Sequence, residues 1–301
     1  MSQLAGGEAV AQRPSSAEVL AREFMASGIQ RHDLEGRHLR GTYNGLKVLE
    51  DRPDFSKLVQ MSESDPDVEP WDDEVVAVII ETRPLPELEY VVQNITTHTG
   101  LRVHVFHGRA NKECLETQFF ASLRDAGRMR QTEIATSDLN ASQYNTLVLS
   151  EGFWERVSGR RKVLIFQTDA LCCPGADFVL GDFLSFDYIG ASWPLERPIG
   201  LRVHGGVGGF SLRDWVSCVS ALQRFPARLW PGGEDGYFAF HIDLMGGKVA
   251  GLESMIKFGT QSIFRHRSFG AHRVQSLSVD DHSRFLEYCP EITNVLKWQK
   301  I

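Results

Sequence analysis

The chain has 301 residues, 42% of them hydrophobic and 24% charged, the make-up of an ordinary globular protein long enough to bury a real core. A net charge of −7 implies no broad basic face for phosphates, which argues against a nucleic-acid partner. There is no apolar run of about 18 residues and no basic-then-apolar leader, so neither a transmembrane segment nor a signal peptide is expected, and the expected compartment is cytoplasmic.

Residues 1–70 read as a helical extension ending in an acidic linker, and 71–301 as the main domain. Residues 1–14 are small and polar. Ser15 or Ser16 can cap a helix that lines up Val19, Leu20, Phe24 and Ile29 on one face. Residues 31–60 mix short apolar pieces with charges, and 62–74 are acidic with two prolines, the pattern of a surface linker.

From Val75 the chain alternates strand and helix. Val75–Ile80 is a β-branched run, hence a buried strand, broken by Pro84 and Pro86. Leu88, Val91, Val92 and Ile95 fall at helical spacing, and Gly100 stands where that helix stops. Residues 102–107 form a second strand. Leu115, Phe119, Phe120 and Leu123 mark a helix ending near Gly127, and 131–136 a third strand. A helix through Tyr144, Leu147, Phe153 and Trp154 leads into the apolar run 163–166, a strand ending at Asp169. Phe186–Trp193 reads as a short strand closing on an aromatic. Leu212, Trp215, Val216, Val219 and Leu222 share one side of a further helix. Such alternation predicts an α/β fold with a mainly parallel sheet.

Four segments carry residues suited to chemistry. Asp169 follows a strand, where ligands of open α/β sheets collect, although an aspartate there can also simply cap a turn. Gly205, Gly206, Gly208 and Gly209 form a loop that can bring backbone N–H groups close to a ligand; it is neither a dinucleotide fingerprint nor a P-loop. Glu234 and Asp235 lie between glycines and aromatics, suited either to a polar ring-shaped ligand or to a helix N-terminus. His272 lies in a loop context near the C-terminus, where a histidine is more often structural. The five cysteines have no CxxC spacing, which fits neither a disulfide scaffold nor a zinc site, and Cys172–Cys173 reads as a buried apolar pair. No GxSxG or HExxH signature occurs.

In order, the blocks Glu81–Pro86, Phe106–Gly108, Tyr144-Asn145, Ser150–Trp154, Leu164–Asp169, Asp187–Trp193, Gly208–Arg213, Glu234-Asp235 and Phe269–His272 resemble the DUF5672 family, over about residues 75–275. That family is a group of glycosyltransferase-like proteins expected to have the GT-A fold, a Rossmann-like parallel sheet flanked by helices. Gly232–Asp235 is also similar to the acceptor-side Gly-Gly-Glu-Asp-Asp motif of β-1,4-galactosyltransferases.

The resemblance implies a nucleotide-sugar-dependent glycosyltransferase, with a UDP-sugar as the leading donor and a carbohydrate or protein acceptor. It places Arg83, Asp169, Gly205 and Gly206 on the donor side. Asp169 stands where the family pattern has Asp-X-Asp, but Gln167-Thr168-Asp169 carries one acid only. Mn²⁺ or Mg²⁺ would then be held by Asp169, His272 and donor phosphates. Asp235 is implied as the base of an inverting transfer, Glu234 as a ligand of acceptor hydroxyls, and Trp193 and Trp230 as sugar-stacking faces. The missing second acid keeps open an inactive GT-A-like domain that binds carbohydrate or protein. A nucleotidyltransferase would need a Gly-rich, basic loop after the first strand, which is not there.

Overall fold

Seven consecutive buried residues, Val75–Glu81, form β1 at the centre of a six-stranded sheet in the computed structural model, which describes residues 69–193, 204–225, 227, 230 and 232–296. The expected N-terminal helix, the mixed segment 31–60 and residues 62–68 of the linker lie outside the described residues. The surface-linker reading stops short of Trp71. That residue is buried, donates its N–H to the Ser158 carbonyl (2.6 Å), and has the guanidinium groups of Arg102 and Arg130 each 4.6 Å from its ring centre.

Helix α1 (Glu87–Thr99) buries Leu88, Val91, Val92 and Ile95 as their spacing predicts, and Gly100 ends it in the left-handed region at φ 70°. Strand β2 (Val103–Gly108) pairs parallel with β1. Leu115 belongs to a separate 3₁₀ turn, because Thr117 starts α2 (Gln118–Asp125) by accepting the Phe120 N–H. Strand β3 (Met129–Ile134) pairs parallel with β2 and begins two residues earlier than its pattern suggests.

The helix expected through Tyr144 and Trp154 is two helices, α3 (Ala141–Val148) and α4 (Glu151–Arg156). Ser150, with extended backbone and its side chain on the Phe153 N–H, separates them. Strand β4 (Lys162–Phe166) joins β1 in parallel and stops three residues before Asp169. Strand β5 (Ala170–Cys172) then enters a second, three-stranded sheet.

Strand β6 (Tyr188–Gly190) and β7 (Phe210–Asp214) close the large sheet, in the order β3-β2-β1-β4-β7-β6. The four strands β3 to β4 are parallel, while β7 runs antiparallel to β4 and β6 antiparallel to β7. The sheet is therefore mainly parallel and flanked by helices, the α/β class expected. Leu212 corrects the helix reading: it sits in β7 opposite Leu164, and helix α5 (Trp215–Arg224) begins only where Asp214 caps the Ser217 N–H.

Helix α6 (Glu234–Leu244) is buried on almost every side, with Glu234 and His241 among its buried residues. Helix α7 (Leu252–Phe258) leads to β8 (Gly259–Thr260), and β9 (Gly270–His272) lies between β8 and β5. Helices α8 (Val279–Leu286) and α9 (Ile292–Leu296) finish the described chain. Cys172, Cys173, Cys218 and Cys289 are buried free thiols, and burial pushes the Cys172 thiol well up, which makes it unreactive. Among the described residues, no helix is long and apolar enough to cross a membrane.

Candidate active site

The carboxyl ends of β1 and β4 open on a cleft of about 570 Å³. Among the residues that line it are Arg83, Asp169, Glu234, Asp235 and His272, five positions singled out from the sequence. They come from distant parts of the chain, and the way each is held differs.

Asp169 is fixed by the junction of the two sheets. The Gln167 N–H bonds the Gly209 carbonyl (2.9 Å), turning the chain out of β4. Antiparallel pairing then sets Ala170 opposite His272, and the Arg273 N–H reaches the Asp169 carbonyl (3.3 Å). This register alone brings the three side chains together. Oδ2 of Asp169 accepts from Arg273 Nε at 3.0 Å, and Oδ1 lies 2.9 Å from His272 Nε2 as an ion-pair contact. Oδ1 is nonetheless buried without a hydrogen bond of good geometry. Burial works to raise the Asp169 pKa, but the charges and hydrogen bonds of His272 and Arg273 outweigh it and hold the carboxyl well below its ordinary range.

Arg83 leaves β1 and folds back on Glu81, with Nε–Oε1 at 2.9 Å and Nη2–Oε2 at 2.8 Å. Its side chain stays half exposed. The hydrogen bonds it donates to Glu81 raise the Arg83 pKa further, so the guanidinium is a permanent cation in the cleft.

Glu234 and Asp235 open α6, with Gly233 at its N-cap. Asp235 is partly exposed, and its Oδ1 accepts the Gly236 N–H at 2.6 Å. Glu234 is different. Both of its oxygens are taken by Arg213, Nη1–Oε2 at 2.5 Å and Nη2–Oε1 at 3.0 Å, and neither side chain is open to solvent. An acceptor hydroxyl would have to compete with a bidentate buried pair, so the acceptor-binding role read for Glu234 is corrected to a structural one. Burial pushes the Glu234 carboxyl up, opposed by Arg213. Burial likewise works against the Arg213 charge, but Glu234 outweighs it and keeps the guanidinium ionised.

The glycine loop divides in two. Gly208 and Gly209 line the cleft, and a Cβ on either would collide with Glu234 or with His272 and Gln167, so both must lack one. Gly205 and Gly206 lie behind the cleft at φ 116° and 98°, against Tyr188 and Gly190, which makes them supports of the loop rather than donor contacts.

Neither tryptophan lines the cleft. Trp193 is buried at 4% exposure and Trp230 at 1%. The Trp230 ring stacks on Phe240, meets Tyr237 and His241, and its N–H bonds the Gly233 carbonyl (2.9 Å), which leaves no face for a sugar.

Several cleft residues escaped the sequence reading. Tyr144 presents a buried hydroxyl without a well-formed hydrogen bond, and burial pushes its pKa up, so it remains a neutral donor. Asn145 accepts the Glu234 N–H (3.0 Å), and Gln167 Oε1 lies 3.3 Å from His272 Nε2. Each sits within or beside a block already singled out, but spacing alone gives no reason to choose it. Among the described residues, no group of three or more His, Cys, Asp or Glu side chains is arranged to hold a metal ion.

Residues 128–272 match the family described as "Protein of unknown function (DUF5672)", a narrower span than the blocks at 75–275. That segment holds β3 to β9 and, except for Arg83, every site position named above through His272. Among solved structures, the chain is similar to the apo-form glycosyltransferase GlyE of Streptococcus pneumoniae TIGR4, with a TM-score of 0.43 and 12% identity over 74% of this chain. It spans 62% of the length of that chain. No curated protein matches the sequence.

Proposed function

We propose that the protein is a glycosyltransferase that moves a sugar from a nucleotide-sugar donor to an acceptor hydroxyl. The observation that carries this reading is the placement of two dissimilar carboxylates, Asp169 and Asp235, in one cleft with Arg83. Asp169 is buried, kept ionised by its neighbours, and suited to a fixed electrostatic role beside a diphosphate. Asp235 is partly exposed on the first turn of α6 and suited to taking a proton.

In this reading Arg83 binds the donor diphosphate, and Asp235 removes the proton from the acceptor hydroxyl as that oxygen attacks the anomeric carbon. Direct displacement inverts that carbon. Oδ1 of Asp235 is engaged by the Gly236 N–H, so the other oxygen is the proton acceptor. The Tyr144 hydroxyl is a donor for a sugar oxygen.

The donor set also fits a hard divalent cation. Asp169 Oδ1 is buried without a hydrogen bond, and His272 Nε2 lies 2.9 Å from it and 3.3 Å from Gln167 Oε1. With a cation bound, His272 would be the neutral ring, Nδ1 donating to Gln261 Oε1 (2.5 Å) and Nε2 giving its lone pair to the metal in place of its contact with Asp169. Mn²⁺ or Mg²⁺ held by Asp169 and His272 would offset charge on the leaving diphosphate.

A second reading, a GT-A-like domain that binds carbohydrate or protein without catalysis, is favoured by the loss of Glu234 to its ion pair. The test is a thermal-shift panel of nucleoside diphosphates and their sugars with and without Mn²⁺, followed by product analysis. Saturation at 100 times Kd adds about 2.7 kcal/mol of stability. Shifts by a nucleotide-sugar together with sugar transfer support the enzyme. Shifts by free sugars alone support the binding domain.

A further inference from the structure

Two arginines line the cleft, and each is tethered through Nε to its own carboxylate: Arg83 to Glu81 (2.9 Å) and Arg273 to Asp169 (3.0 Å). Both remain largely open to solvent, with side-chain exposures of 52% and 60%. The terminal nitrogens of Arg273 have no hydrogen-bond partner among the described residues. A tethered guanidinium loses little further freedom on binding and offers its free N–H edge in a set direction.

The backbone at Arg273 is held at φ 50° and ψ 45°, left-handed geometry that disfavours a residue with a Cβ. It is fixed there by the N–H bond to the Asp169 carbonyl and by Ser276, whose N–H and hydroxyl both reach the Arg273 carbonyl. Strained geometry of this kind persists where the surroundings enforce it, often at ligand sites. Arg267 is the other non-glycine residue with positive φ; it pairs with Asp177 and does not line the cleft.

We propose that Arg273 is a second anion-binding arginine of this cleft, acting with Arg83 on the two linked phosphates of a nucleoside diphosphate. The proposal rests on the glycosyltransferase reading and adds a residue to it. Each guanidinium keeps its charge beside its tethering carboxylate and offers oriented N–H donors, so the cleft attracts through charge and direction together. That favours a ligand whose negative charge is spread over several oxygens, as in a diphosphate.

Calorimetric titration of inorganic pyrophosphate and of UDP into wild type, Arg273→Gln and Arg273→Lys tests it. Wild type should bind both ligands. Arg273→Gln should bind each about 10-fold or more weakly, the loss of a charge-assisted contact. Arg273→Lys, which keeps the charge, should lose less. Equal binding by Arg273→Gln and wild type would overturn the proposal and leave the donor-site reading standing. Failure of wild type to bind either ligand would overturn both. Equal losses in Gln and Lys, without protection of Arg273 by pyrophosphate against arginine labelling, would show that Arg273 acts only by positioning Asp169. Labelling of wild-type arginines with phenylglyoxal needs no variant: saturating pyrophosphate should protect Arg273, and an unchanged labelling rate would also overturn the proposal.

Discussion

Arg213 and Glu234 meet as two forks, each terminal guanidinium nitrogen on its own carboxylate oxygen, in a place closed to solvent. The pair does more than join β7 to α6. Arg213 Nε bonds Ser211 Oγ (2.9 Å), Nη2 also reaches the Gly208 carbonyl (3.2 Å), and Ser211 Oγ donates to that same carbonyl (2.9 Å). The rings of Tyr188 and Phe238 lie against the guanidinium. Strand, helix and glycine loop thus share one buried charge pair directly beneath the cleft, and Asp235 is the next residue along.

Breaking that pair should therefore cost stability first. Arg213→Met leaves a buried carboxylate without a partner and should destabilise by about 3–5 kcal/mol. Adding Glu234→Leu should recover part of that loss, because no buried charge then remains. Urea unfolding of the two single variants and the double variant measures the coupling. If Glu234→Gln left stability intact but weakened an acceptor, Glu234 would regain its sugar-binding role.

Much of this arrangement was legible in the sequence, for reasons that vary by element. The β-branched run Val75–Ile80 and the four apolar residues 163–166 are too short for a buried helix and read as strands covered on both faces. The resemblance in ordered blocks points to Arg83, Asp169, Asp235 and His272, which line one cleft. Strand β7 was hidden because Leu212 also fits the helical spacing of Trp215 and Val219, and only pairing with Leu164 decides between them. Trp230 was misjudged because an aromatic beside acids looks the same in sequence whether it faces a sugar or, as here, Phe240 and His241. Arg273 adjoins His272 in the chain, yet its partnership with Asp169 depends on the β5–β9 register.

The Asp169 contacts set a pH response. Its folded pKa lies below the ordinary carboxyl value of 3.8, so the stability it contributes is present above that value and lost as pH falls through the folded pKa. Acid unfolding of the wild type should therefore contain a component below pH 3.8 that Asp169→Asn lacks. Between neutral pH and the ordinary carboxyl range the two proteins should run parallel. A variant curve that parallels wild type all the way into acid would show that the ion pairs with His272 and Arg273 do not survive in solution.

Metal dependence should follow His272. With Asp169 Oδ1 and His272 Nε2 only 2.9 Å apart, Mn²⁺ should bind more tightly in the presence of UDP than alone, since the protein supplies few ligands. His272→Ala should weaken Mn²⁺ binding in calorimetry while leaving the cleft's other walls in place. Excess EDTA should slow transfer. Transfer at an unchanged rate in EDTA would leave the offset of leaving-group charge to Arg83 and Arg273.

For the proposed transfer, Asp235→Asn is the variant that separates proton transfer from everything else in the cleft. The amide keeps the size of the side chain and can still accept the Gly236 N–H through its oxygen, so the first turn of α6 should stay as it is. What disappears is the basicity. An acceptor hydroxyl that must shed its proton as it attacks should then react about 10²–10⁴-fold more slowly, the usual contribution of a general base. Donor affinity should be unchanged, because Arg83 and Asp169 are untouched. Melting temperature should be close to wild type, because the ion pair of the neighbouring Glu234 remains intact. Steady-state turnover, UDP binding and thermal unfolding measured on one preparation give three independent readouts. Weakened UDP binding with turnover near wild type would put Asp235 on the donor side. A product that keeps the donor's anomeric configuration would exclude the one-step displacement even if turnover fell as expected.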